Sequence, residues 1–229
     1  MIITNQIINM NNRHFTQTLQ NKAIDFLRNN YLVVNGISIY PKEIEVYYYE
    51  QGVFEDIYVH QDKRQRNHPN QFYVHRKGRG GCDFVVSDLD KVYYSYLLRS
   101  VVIDGELFVG PINTYDAICS KTGLSGNSLE SASVTVESYE NNHNVFTTAR
   151  IGLNPEKDGT KSFLGTPLRL IICDEYYKPR HDKKKTHYKG REDAFCTFMK
   201  AQIAEHKMTK EEVAKEAKEY LEYIPKSFK

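Results

Sequence analysis

Residues 42–60, KEIEVYYYEQGVFEDIYVH, put Glu45 in a strand-like run, three tyrosines after Val46, and Asp56 and His60 a short loop further on. An unpaired carboxylate in such a run is expensive to bury, because it loses its hydration or must change its pKa. Aromatic faces beside it offer a platform for a flat ring, including a cationic one. Acid and aromatic plate side by side are what chemistry on an extruded nucleobase requires. The same letters also describe an ordinary amphipathic strand. Ile44, Val46 and Tyr48 would share one face, and Glu43, Glu45, Tyr47 and Tyr49 the other.

The chain of 229 residues is long enough for a sizeable core, and its 40% hydrophobic and 26% charged residues are those of a globular protein. Seventeen tyrosines and eleven phenylalanines, with no tryptophan, suit β-structure and stacking surfaces alike. A net charge of +2 argues neither for nor against nucleic acid, but the basic residues are clustered. Lys63, Arg64, Arg66, Arg76, Lys77 and Arg79 have no acid among them, and Lys178–Arg191 carries seven basic residues against Asp182 alone. Such clusters can neutralise phosphates, or lie in solvated loops. Cys82, Cys119, Cys173 and Cys196 are far apart and form no CxxC pair, so the expectation is reduced thiols and no metal. No run approaches the ~18 apolar residues of a membrane span, and the N-terminus has no apolar core with a cleavage site. A cytoplasmic, soluble monomer is expected.

Several elements must position these residues. Phe15, Leu19, Ala23, Phe26 and Leu27 predict a helix over 15–28, and YLVV-NG-ISIY a hairpin with a type I′ turn. Strands are expected over 43–49 and 71–76, joined through a basic glycine loop to a long strand over 92–103 that Arg99 interrupts. Pro111 suits a helix start and Gly123 a stop. Strands follow around 133–139, 145–153 and 167–173, then helices over 191–206 and 210–223, the second opened by a Thr209-x-x-Glu212 capping box. The pattern predicts an α+β fold: one mixed domain over 1–180 with a curved, mostly antiparallel sheet, and a basic helical extension over 181–229.

In order along the chain, several segments resemble those of the alkyladenine (3-methyladenine) DNA glycosylases, from about residue 15 to residue 177. EIEVY is similar to that family's E-x-E-A-Y strand, placing Glu45 at the catalytic glutamate and Tyr47 at a base-stacking tyrosine. Asp56-x-x-x-His60 resembles its D-x-x-x-H, and FYVH its Y-V-Y strand, so His60 and His75 fall at base-facing positions. GGCDF places Asp83 at the family's asparagine, and YLLRS puts Arg99 at the arginine that holds the attacking water. GP at Gly110–Pro111, TARIGLN and TPLRLII complete the series, with Ile151 where a backbone carbonyl meets that water.

The resemblance implies a monofunctional glycosylase of damaged double-stranded DNA, with neither cofactor nor metal. An alkylated purine would be flipped between Tyr47, His60 and His75, and a Glu45-activated water, oriented by Arg99, would hydrolyse its glycosidic bond. Two other classes fit the same residues: a non-catalytic nucleic-acid-binding module, and a hydrolase of single strands or free modified nucleosides.

The chain also departs from the family. The loop between Tyr47 and His60 is longer, and that from Arg76 to Gly81 is shorter and has no aromatic residue to wedge into a duplex. Only Arg76, Lys77 or Arg79 could enter a minor groove there. Asp83 in place of asparagine gives the expectation of a base preference shifted toward modified guanines, whose amino group a carboxylate could bind.

Overall fold

The structure is a computed structural model that describes residues 2–65, 69–75, 80–87, 89–154, 157, 163–172, 199, 203, 208–221 and 223–229, with 2–12 and 219–221 described by backbone alone. Arg76, Lys77 and Arg79, the second basic cluster, and most of the helix expected over 191–206 lie outside these residues.

Helix α1 spans Ile2–Asn29, starting well before the expected residue 15, and buries Leu19, Ala23, Phe26 and Leu27. It leads into β1 (Asn30–Val34), which turns through Asn35 and Gly36 into β2 (Ile37–Glu50). Both turn residues have positive φ, 49° and 78°, as a type I′ turn requires. The hairpin arm and the strand expected over 43–49 are thus one strand, continuous through Pro41. Proline has no N–H to give a ladder. It sits where β2 exchanges one neighbour for another: β1 pairs with it at Ile37–Ile39, and the strand Arg169–Ile172 at Glu43–Glu45.

The other strands are β3 (Phe54–Glu55), β4 (Phe72–Val74), β5 (Cys82–Val85), β6 (Tyr93–Ile103), β7 (Glu106–Val109), β8 (Val134–Ser138), β9 (Val145–Thr148) and β10 (Arg169–Ile172). Helices α2 (Pro111–Thr122) and α3 (Asn127–Glu130) lie between β7 and β8, and α2 ends at Gly123 in a left-handed cap as expected. All pairings are antiparallel, in the order β4-β5-β6-β2-β1-β8, with β10 and β3 on the rest of the β2 edge, β9 beyond β10, and β7 beside β6. The fold is α+β, with a curled antiparallel sheet.

Long strands β2 and β6 form the centre, and their ladder slips twice. Between Pro41 and Glu43 the extra residue is Lys42, on β2; between Glu43 and Ile44 it is Arg99, on β6. The second slip cancels the first. A bulge bends its strand and re-aims a side chain, and here it frees Arg99 from strict cross-strand pairing.

The sheet has two unlike faces. Ile44, Val46 and Tyr48 join Phe84, Tyr96, Leu98 and Leu170 in the core that α1 covers, with Phe26 stacked on Phe84 at 5.5 Å. On the opposite face, cross-strand register aligns Tyr73, Asp83, Leu97, Glu45, Arg169 and Thr148 in one row. Further along that face Ile171, opposite Glu43 and Phe146, is covered by the last helix, α4 (Lys210–Leu221), through Val213 and Ala217. The Thr209–Glu212 capping box opens α4 as expected, with reciprocal hydrogen bonds of 2.8 and 3.2 Å. The end of the chain therefore packs on the sheet and shares a core with it. No helix among the described residues is long and apolar enough to cross a membrane.

Ending the chain at residue 207 should expose Phe146 and Ile171, lower the melting temperature and raise binding of a dye specific for apolar surface. Unchanged dye binding would show that α4 does not cover them.

Candidate active site

Glu45 lies in the middle of the polar row and has no exposed surface. Its Oε1 accepts the backbone N–H of Ile151 at 2.9 Å and lies 3.0 Å from Arg99 Nη1. The Tyr47 hydroxyl donates to Oε2 at 3.0 Å. A carboxylate has about four acceptor sites, so these donors leave one, on Oε2. Alternation along β2 puts Glu45 and Tyr47 on one face, as the sequence predicts. The phenol of Tyr47 is raised well above its ordinary pKa by burial and by Glu45, so it remains a donor.

Glu43, one turn of the pleat away, is also buried. Its Oε1 accepts Arg99 Nε at 2.8 Å and Arg169 Nε at 2.7 Å. Burial pushes the Glu43 carboxyl up, but Arg169 and Arg99 outweigh it and hold the group below the usual carboxylate range. Arg99 thus bridges both acids of the E-x-E pair. Burial disfavours its charge, yet Glu45 and Glu43 keep its pKa above the ordinary value.

A second buried pair lies behind Tyr47. Asp56 accepts the Tyr58 N–H at 3.1 Å and Arg150 Nη1 at 2.5 Å. Arg150 Nη1 also donates to the Val46 carbonyl at 3.2 Å, whereas its Nε and Nη2 are buried without a hydrogen-bond partner. The guanidinium instead lies over the rings of Tyr47, at 4.6 Å, and Tyr58, at 5.7 Å. Asp56 therefore acts on the site through the turn and through Arg150.

The opposite wall is built from β4 and β5. His75 and Asp83 meet at 2.7 Å, and Asp83 also accepts the Ser95 hydroxyl at 2.7 Å and Gln65 Nε2 at 3.2 Å. Burial raises the Asp83 carboxyl, but His75, Ser95 and Gln65 bring it below the usual range. Both oxygens are engaged, so Asp83 acts on the cavity mainly by fixing the His75 ring. His60, which is exposed, meets the Tyr73 hydroxyl through Nδ1 at 3.0 Å and lies 5.1 Å from the His75 ring. Burial raises the Tyr73 phenol to about 12.

These groups surround a cavity of about 490 Å³ lined by Glu45, Tyr47, Tyr58, His60, His75, Asp83, Arg99, Ile151 and Lys157, among others. Its size suits a small flat ligand. Of the residues singled out from sequence, Glu45, Tyr47, His60, His75, Asp83, Arg99 and Ile151 line it, whereas Asp56 does not. For Ile151 the contact shown is its N–H on Glu45. Arg64, of the first basic cluster, is held by Asp62 and Glu130, so its charge is already paired. Among the described residues no cluster of His, Cys, Asp or Glu is arranged to hold a metal ion.

Sequence reasoning left out Glu43, Arg169, Arg150, Tyr58, Gln65 and Ser95. A signal for the first three was present: two acids in an otherwise apolar strand demand cations, and Arg150 and Arg169 sit in apolar strand contexts. No protein-family model matches the chain, and no curated protein matches it.

The depressed carboxyls of Glu43 and Asp83 have a consequence for acid stability. A group whose folded pKa lies below its unfolded value stabilises the fold above about pH 4 and loses that contribution as pH falls through its folded pKa. The denaturation midpoint should hold steady from pH 7 to about 5 and fall below about 4.5, more steeply in the wild type than in Glu43→Gln. Equal slopes in both would mean that Glu43 does not carry this dependence.

Proposed function

We propose that the protein is a DNA glycosylase of the base-excision type, which takes a flipped modified purine into this cavity and hydrolyses its N-glycosidic bond. The observation that carries this reading is the convergence of Arg99, the Tyr47 hydroxyl and the Ile151 N–H on one buried carboxylate at an aromatic-lined cavity. Three donors hold the Glu45 carboxyl group in fixed orientation. Such a group can accept a proton from water attacking the sugar carbon, or stabilise the oxocarbenium-like sugar as charge develops. Because the Tyr47 hydroxyl already sits on Oε2, a water reaching the remaining acceptor site must share that oxygen with it. The base would lie between the Tyr47 side and the His60–His75 wall. The glycosidic bond then breaks with its electron pair leaving on the base, and the water oxygen bonds to the sugar carbon. Neither a Schiff-base lysine nor a cofactor is needed, so the product is an abasic site without strand cleavage.

One observation favours a second reading. Glu45 has no exposed surface in this structure, as suits a binding module whose buried acid only organises the cavity. Duplex DNA bearing methylated purines, incubated with the protein and then treated with alkali, separates the two. Strand breaks at the lesions are expected from the wild type. Glu45→Gln should lose roughly 100-fold or more of this activity while still binding the duplex. Lesion-specific binding without breaks in either protein would favour the binding module. Breaks on single strands alone would favour a hydrolase that does not invade a duplex.

A further inference from the structure

Taking a purine out of a duplex leaves a gap in the stack, and the neighbouring bases close on it unless something fills it. Apolar side chains do this in proteins that unstack DNA. The loop from Arg76 to Gly81, whose Gly80 lines the cavity, has no apolar side chain to offer.

Such a side chain stands next to it. Among the described residues three large hydrophobic side chains are exposed: Val53, Leu89 and Ile112. Val53 lies in the β2–β3 turn and Leu89 between β5 and β6, neither flanked in sequence by a residue that lines the cavity. Ile112 follows Pro111, which does line it, and is 54% exposed. Its side chain lies so close on the backbone of Gly80 that a Cβ there would collide with Ile112 Cγ1. A Cβ at Gly81 would come to 3.0 Å from Pro111 Cβ. The two glycines thus let the loop lie against the start of α2 and leave Ile112 half uncovered at the rim.

A wedge must also be stiff, because the closing stack would push a mobile side chain aside. Pro111 fixes the backbone at the first helical position, and α2 buries Thr114, Ala117 and Ile118. The Gly110 N–H donates to the Arg99 carbonyl at 2.7 Å, and Arg99 lies 3.0 Å from Glu45. Ile112 is therefore tied to the buried carboxylate through a short, hydrogen-bonded path.

We propose that Ile112 is the wedge that enters the duplex and fills the place of the extruded base. This rests on the reading of the cavity as the site of a flipped purine. The invading group is then aliphatic and carried by a helix start, and it holds the gap by bulk.

The full chain is mixed with a duplex that carries one methylated purine beside 2-aminopurine, whose fluorescence rises as it loses its stacking neighbour. Excision under single-turnover conditions is followed on the same duplex. The wild type should give both a fluorescence rise and excision. Ile112→Ala should shrink the rise and slow excision by roughly tenfold, and Ile112→Met, of similar bulk, should restore both. Leu89→Ala, which removes an exposed apolar group elsewhere, should behave as the wild type. Wild-type excision and fluorescence in Ile112→Ala overturn the inference and leave the glycosylase reading standing. So does slower excision with an undiminished rise, because Ile112 would then act after flipping. Failure of methionine to restore the loss, or an equal loss in Leu89→Ala, overturns it as well. Excision from single strands alone overturns it and leaves the cavity a modified-purine site. Excision from neither duplex nor single strand overturns the glycosylase reading and the inference with it.

Discussion

Four acids with almost no exposed surface, Glu43, Glu45, Asp56 and Asp83, are buried among the described residues, and the polar face of the sheet depends on their compensation. An unpaired buried carboxylate would be protonated or would pull the sheet open to water. Each acid instead has a cation or a histidine beside it: Arg99 and Arg169 for Glu43, Arg99 for Glu45 and Arg150 for Asp56, all from distant parts of the chain, and the nearby His75 for Asp83. These pairs tie β2 to β6 and to β10, and the turn after β3 to the segment after β9. Replacing such a pair by apolar packing of the same volume is often neutral, whereas removing one partner alone leaves a buried charge and is costly. The result is a cavity whose walls are fixed in orientation before anything enters, which is what electrostatic catalysis needs.

Much of this was legible in the sequence. Alternation in EIEVY assigned Glu45 and Tyr47 to one face, and Asn35–Gly36, Pro111 and Gly123 marked their turns and caps where the structure has them. Arg99 stood out because a charge in an apolar strand needs a partner. The partner assignments did not follow, since Glu43 competes with Glu45 for Arg99 and only the ladder register brings Arg169 alongside. The hairpin arm and the strand expected over 43–49 are one strand running through Pro41, although proline in a strand usually ends it. Here it falls where no neighbour needs its N–H. The early start of α1 was hidden by a polar, asparagine-rich N-terminal segment with weak apolar periodicity.

The C-terminal segment shows the limit of reading composition. Sequence marks its charged helix as part of a basic extension after residue 180, and Val213 and Ala217 give that helix a narrow apolar stripe that covers the end of the site face. Ile171, under that stripe, is the cross-strand neighbour of Glu43. The helix thus helps keep water from the Glu43 ion pairs, linking a distant part of the chain to the cavity through packing alone.

The paired slips in the β2–β6 ladder tie the two strands' lengths together. Side chains alternate faces, so an odd offset carried past Glu43 would send Glu45 and Tyr47 toward α1 and bring Ile44 and Val46 to the cavity. Deleting Lys42 alone, or adding one residue beside Arg99 alone, would create that offset. The two irregularities are therefore a single unit of inheritance. A lineage can gain or lose a residue in one strand only if the other changes with it, and the spacing from Pro41 to Glu45 is as constrained as the residues themselves.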